Sequence, residues 1–178
     1  MGDIFFTSDH HFDHANFLNF KDDNDNKIRP FDTVEEMNET MIERWNSVIK
    51  PQDKVWHLGD VTFRPNQFAR IASRLHGHKR QIGGNHDDLK NYELTRWFEK
   101  VQIWRIFKDE EFVCTHIPIL PGQFRYKVKY NVHGHIHQNV IDDPQYVNIC
   151  VEQTNYTPLS MEEVRARFKE ISNGQNDR

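Results

Sequence analysis

The sequence has little cysteine and no long apolar run. Cys114 and Cys150 are its only cysteines, and each lies in an apolar, strand-like stretch where a free thiol behaves as a small buried hydrophobe. A disulfide is therefore not expected, which favours a reducing, cytoplasmic compartment. No apolar run is long enough to span a bilayer, and the first residues lack the basic start, apolar core and cleavage site of a secretory signal. We expect a cytoplasmic protein with no membrane partner.

The sequence also lacks an excess of positive charge. Its net charge is -4, so no bulk attraction to nucleic acid or anionic membrane is expected. Any bound anion must then be held by local positive charge, which metal ions would supply. A length of 178 residues predicts one domain, residues 1–172, followed by a polar tail, residues 173–178. Its oligomeric state is left open.

Histidine is abundant and unevenly distributed. Seven of the 11 histidines lie in or beside polar clusters, and each cluster follows a short apolar run that is typical of a strand. Loops at strand ends are fixed by the sheet and often carry function. Aspartate and histidine together are ligands of divalent transition metals. The seven histidines are His10, His11, His14, His86, His116, His135 and His137.

The first half of the chain alternates predicted strands and helices. Strands are expected at residues 3–8, 55–58 and 79–82, with helices at 15–20, from Thr33 to Pro51, from Pro65 to Gly77, and at 89–98. Thr33-x-x-Glu36 is a capping box that opens the long second helix.

The second half is richer in strands. Residues 101–107 and 111–115 predict an antiparallel hairpin, and further strands are expected at 126–132 and 146–151. Ser160-x-x-Glu163 caps a final helix. The order predicts a mixed α/β (α+β) fold, in which a two-sheet β-sandwich is flanked by helices.

The polar clusters together resemble the five-block signature of the calcineurin-like metallophosphoesterase superfamily, and its small bacterial and phage members in particular. The blocks span most of the chain. They are Asp9-x-His11, Gly59-Asp60, Gly84-Asn85-His86-Asp87, His116 and Gly134-His135-x-His137. The resemblance implies a four-layer αββα fold and a site for two divalent metal ions.

The resemblance also implies roles for individual residues. Asp60 would bridge the two metals, and a hydroxide between them would attack phosphorus. His86 would protonate the leaving oxygen, and Asp87 would orient its imidazole. Mn²⁺ is favoured, although Fe, Ni²⁺ and Zn²⁺ also suit such ligands. The remaining ligands would be Asp9, His11 and His137 for the first metal, and Asn85, His116 and His135 for the second.

The function implied is hydrolysis of phosphoesters, with phosphodiesters favoured, because an acid like His86 is typical of small diesterase members. Two ions about 3.5–4 Å apart can activate a water and clamp the phosphate. The expected substrates are nucleotides, cyclic phosphates or nucleic-acid ends. The alternatives are a phosphomonoesterase or nucleotide pyrophosphatase, or a non-catalytic metal-binding scaffold.

Candidate substrate contacts are less well defined. The stretch from Gln123 to Tyr130 interleaves basic and aromatic residues, which fits a nucleotide surface or an edge strand with solvated lysines. His10, Asp13 and His14 either orient the metal ligands or line the loop. The candidate contacts are Asn85, His10, His14, Arg29, Arg64 and Arg125.

Plainer interpretations remain open for several of these residues. Asp9, Asp60 and Asn85 are also typical of turns and helix caps. His57, His76 and His78 are expected to be structural. The polar loop at residues 21–27 has calcium-loop spacing, but Lys27 stands where glycine is needed, which favours a solvated loop.

Overall fold

The computed structural model describes residues 2–124 and 127–174, which form a mixed α/β fold of two sheets and four helices. The helices are α1 (Val34–Val48), α2 (Ala69–Ala72), α3 (Tyr92–Thr95) and α4 (Met161–Gly174). The strands are β1 (Ile4–Thr7), β2 (Lys54–His57), β3 (His78–Ile82), β4 (Lys100–Gln102), β5 (Trp104–Phe107), β6 (Phe112–Thr115), β7 (Tyr130–His133), β8 (Tyr146–Asn148) and β9 (Leu159–Ser160).

Both sheets are mostly parallel. The first has the order β4-β3-β2-β1-β9, in which only β9 is antiparallel to its neighbour. The second has the order β5-β6-β7-β8, with β5 antiparallel. A parallel bridge between Ser8 and Cys150 joins the chain after β1 to the chain after β8. The carboxyl ends of strands from both sheets therefore meet at one edge of the domain.

Helix α1 covers the outer face of the first sheet. Its N-cap is the predicted capping box: Thr33 Oγ1 accepts the N–H of Glu36 at 3.1 Å, and Glu36 Oε2 accepts the N–H of Asp32 at 2.9 Å. Met41 and Trp45 of α1 pack on this face with Val55 of β2, and all three are buried. Helices α2 and α3 contribute to the same core.

A second core lies between the two sheets. Because strand side chains alternate between faces, Phe5 points toward α1 whereas Phe6 points toward the second sheet. Phe6 meets Phe112 of β6 edge to face, with ring centroids 5.7 Å apart. Helix α4 closes this core at one side with Phe168, whose ring stacks 4.2 Å from that of Tyr130. The two sheets thus pack face to face, as the sequence predicts.

Several predicted elements differ from the observed ones. Residues 101–107 are not one strand: the chain crosses from the first sheet to the second at Ile103, which is exposed. Only the β5–β6 part forms the predicted hairpin. This crossing depends on tertiary packing, since the sequence is uniformly β-rich there.

Other differences concern the length of elements. Helix α3 and helix α2 each contain a single turn, and α2 follows a 3-10 turn at Pro65–Gln67. The strand predicted at 126–132 starts at a residue outside the described part of the chain; residues 127–129 are not in a strand and β7 begins at Tyr130, while β8 ends at Asn148. Helix α4 continues to Gly174, two residues into the segment predicted as a tail. None of the described helices is long and apolar enough to cross a membrane.

Candidate metal centre

The loops after five parallel strands bring predicted ligands together at one edge of the domain. Three overlapping groups have ligand atoms that all lie within 4.8 Å of one another. Asp60 belongs to two of these groups, and Asp9 also belongs to two. The groups are Asp9, His11 and Asp60; Asp60, His116 and His135; and Asp9, His137 and Cys150.

Asp60 lies between two imidazoles. Its Oδ2 atom is 3.4 Å from His11 Nε2 and 3.4 Å from His116 Nε2. Two ligand atoms that bind the same ion at about 2.1 Å are roughly 3.0–3.4 Å apart. Asp60 Oδ2 could therefore bind one ion together with His11 and another together with His116. The other oxygen, Oδ1, accepts the N–H of His86 at 2.9 Å. Burial acts to raise the pKa of Asp60, but its bonds to His116 and His86 lower the pKa to about 2.

Asp9 uses one carboxylate oxygen for hydrogen bonds and leaves the other bare. Oδ2 accepts hydrogen bonds from the Ser8 hydroxyl, the Cys150 thiol and the N–H of His135. Oδ1 is buried and has no hydrogen-bond partner in the described part of the chain, and the same is true of His11 Nε2. These two atoms are 3.9 Å apart. Because buried polar atoms are rarely left without a partner, this pair fits a bound cation.

The side chains predicted to bind the second metal, His116 and Asn85, also have positions that suit a bound cation. His116 Nδ1 donates to the carbonyl oxygen of Leu58 at 2.8 Å, which directs Nε2 toward Asp60. Nε2 also lies 2.8 Å from Asn85 Oδ1. In the neutral form of His116, Nε2 and Asn85 Oδ1 are both lone-pair donors, as two ligands of one metal would be. Burial acts to lower the pKa of His116, but Asp60 and Asp9 raise it above the usual value.

Glu152 completes the centre and was not recognised in the sequence. Its Oε1 atom lies 3.1 Å from Nδ1 of His137, so it can fix the tautomer in which Nε2 of His137 is free for a metal. Arg29 holds the same oxygen through Nε at 2.9 Å and Nη2 at 2.7 Å. Burial acts to raise the pKa of Glu152, but Arg29 and His137 lower it to about 2.

Arg29 is not a substrate contact, and that prediction is wrong. The side chain is fully buried behind the ligand loop. Its guanidinium donates to the carbonyl oxygens of Asp9 at 2.6 Å and His10 at 2.7 Å, in addition to Glu152. Arg29 therefore holds the backbone that carries the first ligands.

We expect Glu152→Gln to weaken metal binding by about 10–100-fold, because a glutamine no longer accepts from His137 with full negative charge. Isothermal titration of the metal-free protein with Mn²⁺ measures this change. Glu162→Gln, an exposed position on α4, is the matched control and should bind Mn²⁺ like the wild type. Unchanged affinity in Glu152→Gln would show that Glu152 has no such role.

The ligand loops adopt an unusual backbone conformation. Left-handed φ angles between 47° and 72° occur at six non-glycine residues of these loops. Such conformations cost energy and cluster at functional sites, where the surrounding structure holds them. The six residues are Asp9, His11, Asp13, Asp60, His135 and His137.

Two glycines are required for the ligand loops to approach each other. A Cβ atom at Gly84 would lie 2.2 Å from Asp60 Oδ1, and one at Gly134 would lie 2.2 Å from Asp9 Oδ2. Any larger residue at either position would displace a carboxylate ligand.

His86 is exposed at the edge of the centre. Its ring centroid is 5.4 Å from that of His11. It lines a cavity of about 540 Å³ together with His11, His14, His135 and His137, which we call the histidine cavity. The side chain thus shares this cavity with three of the candidate metal ligands, His11, His135 and His137.

Asp87 does not orient His86, and that prediction is wrong. Its carboxylate accepts the backbone N–H groups of Asp60, Val61 and Gly84 at 2.9–3.0 Å, and the side-chain amide of Gln81 at 2.8 Å. Asp87 therefore ties the loop after β2 to the loop after β3. The position of Asp87 next to His86 in the sequence does not indicate these hydrogen bonds, because they join loops that follow two different strands.

The other candidate contacts have different surroundings. His10 is fully buried and its Nδ1 lies 2.9 Å from His57 Nε2, so its prediction as a substrate contact is wrong. His14 lines the histidine cavity, and its ring lies 4.0 Å from that of Phe63. Arg64 is exposed beside Phe63. Asn85 is exposed next to His116, whereas Arg125 lies outside the described residues.

No family model matches this sequence. The chain is 31% identical over 175 residues to the uncharacterized protein MJ1445 of Methanocaldococcus jannaschii, covering 91% of this chain and 89% of that protein. The chain belongs to the family of MJ1445. The name of that protein states no activity.

Two further proteins are similar to this chain. The gene 66 protein of Mycobacterium phage L5 is 36% identical over 93 residues, which are 49% of this chain and 41% of that protein. The crystal structure of AQ665 from Aquifex aeolicus, a protein of unknown function, superposes with a TM-score of 0.71 at 26% identity. That match covers 92% of this chain and 98% of AQ665.

Proposed function

We propose that this chain is a dinuclear metal-dependent phosphoester hydrolase, and most specifically a phosphodiesterase. The observation that carries the proposal is the position of Asp60 Oδ2, which lies 3.4 Å from His11 Nε2 and 3.4 Å from His116 Nε2. A carboxylate oxygen shared by two ligand groups is what a pair of bridged ions needs. The bare Asp9 Oδ1 and His11 Nε2 atoms support the first ion, and His116 with Asn85 supports the second.

The proposal includes the αββα fold of calcineurin-like metallophosphoesterases. The two facing sheets and the helices α1 to α3 over the first sheet support it. Helix α4 packs against β1, β8 and β9, at the seam between the sheets, and would stand for the fourth layer.

The residues present suit Mn²⁺, with Fe, Ni²⁺ and Zn²⁺ as other ions that accept carboxylate, imidazole and amide ligands. When bound, two such ions would activate a water molecule and neutralise the charge on the phosphate. In the reaction, the water oxygen bonds to phosphorus and the bond from phosphorus to the leaving oxygen breaks. The leaving oxygen then needs a proton, and the exposed imidazole of His86 in the histidine cavity can donate it.

The test uses metal-free protein reconstituted with Mn²⁺ and assayed on bis(p-nitrophenyl) phosphate and p-nitrophenyl phosphate. We expect diester turnover that requires Mn²⁺, with two ions bound per chain. Turnover of the monoester alone would favour a phosphomonoesterase instead. Binding of two ions without turnover of either ester would favour a metal-binding scaffold and contradict the proposal.

A further inference from the structure

A second cavity, of about 550 Å³, borders the metal centre on the outer face of the second sheet. We call it the apolar cavity. Val113 and Thr115 of β6 form its floor, and its walls include Trp104, Ile117, Ile119 and Phe124. This volume is in the range of ligand pockets, about 300–1,000 Å³.

The apolar cavity is continuous with the metal centre. Asn85 and His116, whose side chains would bind the second metal, also line this cavity. The histidine cavity adjoins the centre through His11, His135 and His137. A phosphate held at the metals would therefore have the histidine cavity on the side of His11 and His137 and the apolar cavity on the side of Asn85 and His116.

Among the described residues, the lining of the apolar cavity is mostly apolar, with Gln123 and Thr115 as its polar side chains away from the metal centre. Thr115 Oγ1 donates to the carbonyl oxygen of Ile117 at 2.7 Å and accepts from Asn131 Nδ2 at 2.9 Å, so its one donor hydrogen is already used. The walls leave large apolar side chains open to solvent: Trp104 is 54% and Ile117 is 50% exposed. A ligand that covers such a patch gains mainly from apolar contact.

A phosphodiester carries two ester groups, one that leaves and one that stays on phosphorus. His86 lines the histidine cavity, and a proton donor must lie near the leaving oxygen, so the leaving group belongs there. The retained group is then directed to the other side of the centre.

We propose that the apolar cavity binds the retained ester group of the substrate, and that this group is aryl or alkyl. The inference rests on the proposed function and narrows its substrate class to phosphodiesters with one apolar substituent. A phosphomonoester has no retained group, so it would leave this cavity without a role.

The kinetic test compares two diesters with the same leaving group, phenyl p-nitrophenyl phosphate and methyl p-nitrophenyl phosphate, in the Mn²⁺-loaded enzyme. We expect kcat/KM to be at least about 10-fold higher for the phenyl ester, since even one methylene in an apolar pocket gives about 10-fold discrimination. Ile117→Gln should bring the ratio of the two values close to one. Leu120→Gln is the matched control, because Leu120 is 74% exposed and does not line the cavity.

A binding measurement separates this inference from the proposed function. Phenylphosphonate and methylphosphonate are not hydrolysed at their P–C bonds and carry the same phosphonate group, so the difference between their affinities for the Mn²⁺-loaded protein reports the contribution of the apolar substituent. We expect the wild type and Leu120→Gln to bind phenylphosphonate at least about 10-fold more tightly than methylphosphonate. Ile117→Gln should bind the two phosphonates equally weakly.

The outcomes are distinct. Equal turnover of both esters with equal binding of both phosphonates would overturn the inference while the hydrolase proposal stands. Selective binding of phenylphosphonate without hydrolysis of any ester would support the cavity and contradict the hydrolase. Faster turnover of the p-nitrophenyl ester of thymidine 5′-phosphate than of the phenyl ester would overturn the assignment to an apolar group.

Discussion

Asp60→Asn should lower kcat for phosphodiester hydrolysis by about 10²–10³-fold, a loss typical of removing one electrostatic contact that stabilises the transition state. Asparagine has the shape of aspartate and can still accept the N–H of His86, which Asp60 Oδ1 accepts at 2.9 Å. Asparagine lacks the negative charge of aspartate, however. Two adjacent cations would require that charge on the oxygen that lies between His11 and His116. The variant should therefore fold but bind fewer metal ions.

The measurements are kcat on the diester, the number of Mn²⁺ ions bound per chain, and the melting temperature with and without Mn²⁺. Wild-type protein should gain about 2.7 kcal/mol of stability for each bound ion at a free Mn²⁺ concentration 100 times Kd, whereas Asp60→Asn should gain less in total. Asp88→Asn, an exposed position in the loop after β3, is the control and should behave like the wild type. Two bound ions and nearly full activity in Asp60→Asn would refute the bridging role.

The effect of His86→Ala should depend on the leaving group. An alkoxide is a poor leaving group without a proton, so an alkyl diester should lose about 10²–10⁴-fold in kcat/KM. A p-nitrophenolate leaves readily without a proton, so the chromogenic diester should lose less than about tenfold. Metal binding should be unchanged, because only the backbone N–H of His86 contacts Asp60.

Steady-state kinetics on alkyl and p-nitrophenyl diesters, with the same retained group, provide the test. His78→Ala is the control: His78 is exposed at the start of β3 and its Nδ1 lies 2.6 Å from Glu99, away from both cavities. An equal loss on both substrates would mean that His86 binds or positions the phosphate and does not donate a proton.

The sequence alone predicted the parts of this protein that depend on short-range patterns. The N-cap hydrogen bonds of Thr33 and Ser160 are formed, since each joins a side chain to a backbone N–H three residues away. The alternation of strands and helices predicted two sheets, and the polar residues that follow strands predicted which side chains meet at one edge. Parallel strands end on the same side of a sheet, so local position was enough to bring Asp9 and Asp60 together.

Tertiary structure alone decided how these ligands are held and what lies beside them. Glu152 and Arg29 are 123 residues apart in the chain yet form one buried pair, and no local pattern links them. Asp87 follows His86 directly, but its hydrogen bonds run to Asp60 and Val61 on another loop. The apolar cavity is lined by segments that are distant in the sequence, among them Ile103, where the chain crosses between the sheets, and Asn85. Such contacts depend on the packing of distant segments, which hydrophobic periodicity and spacing do not encode.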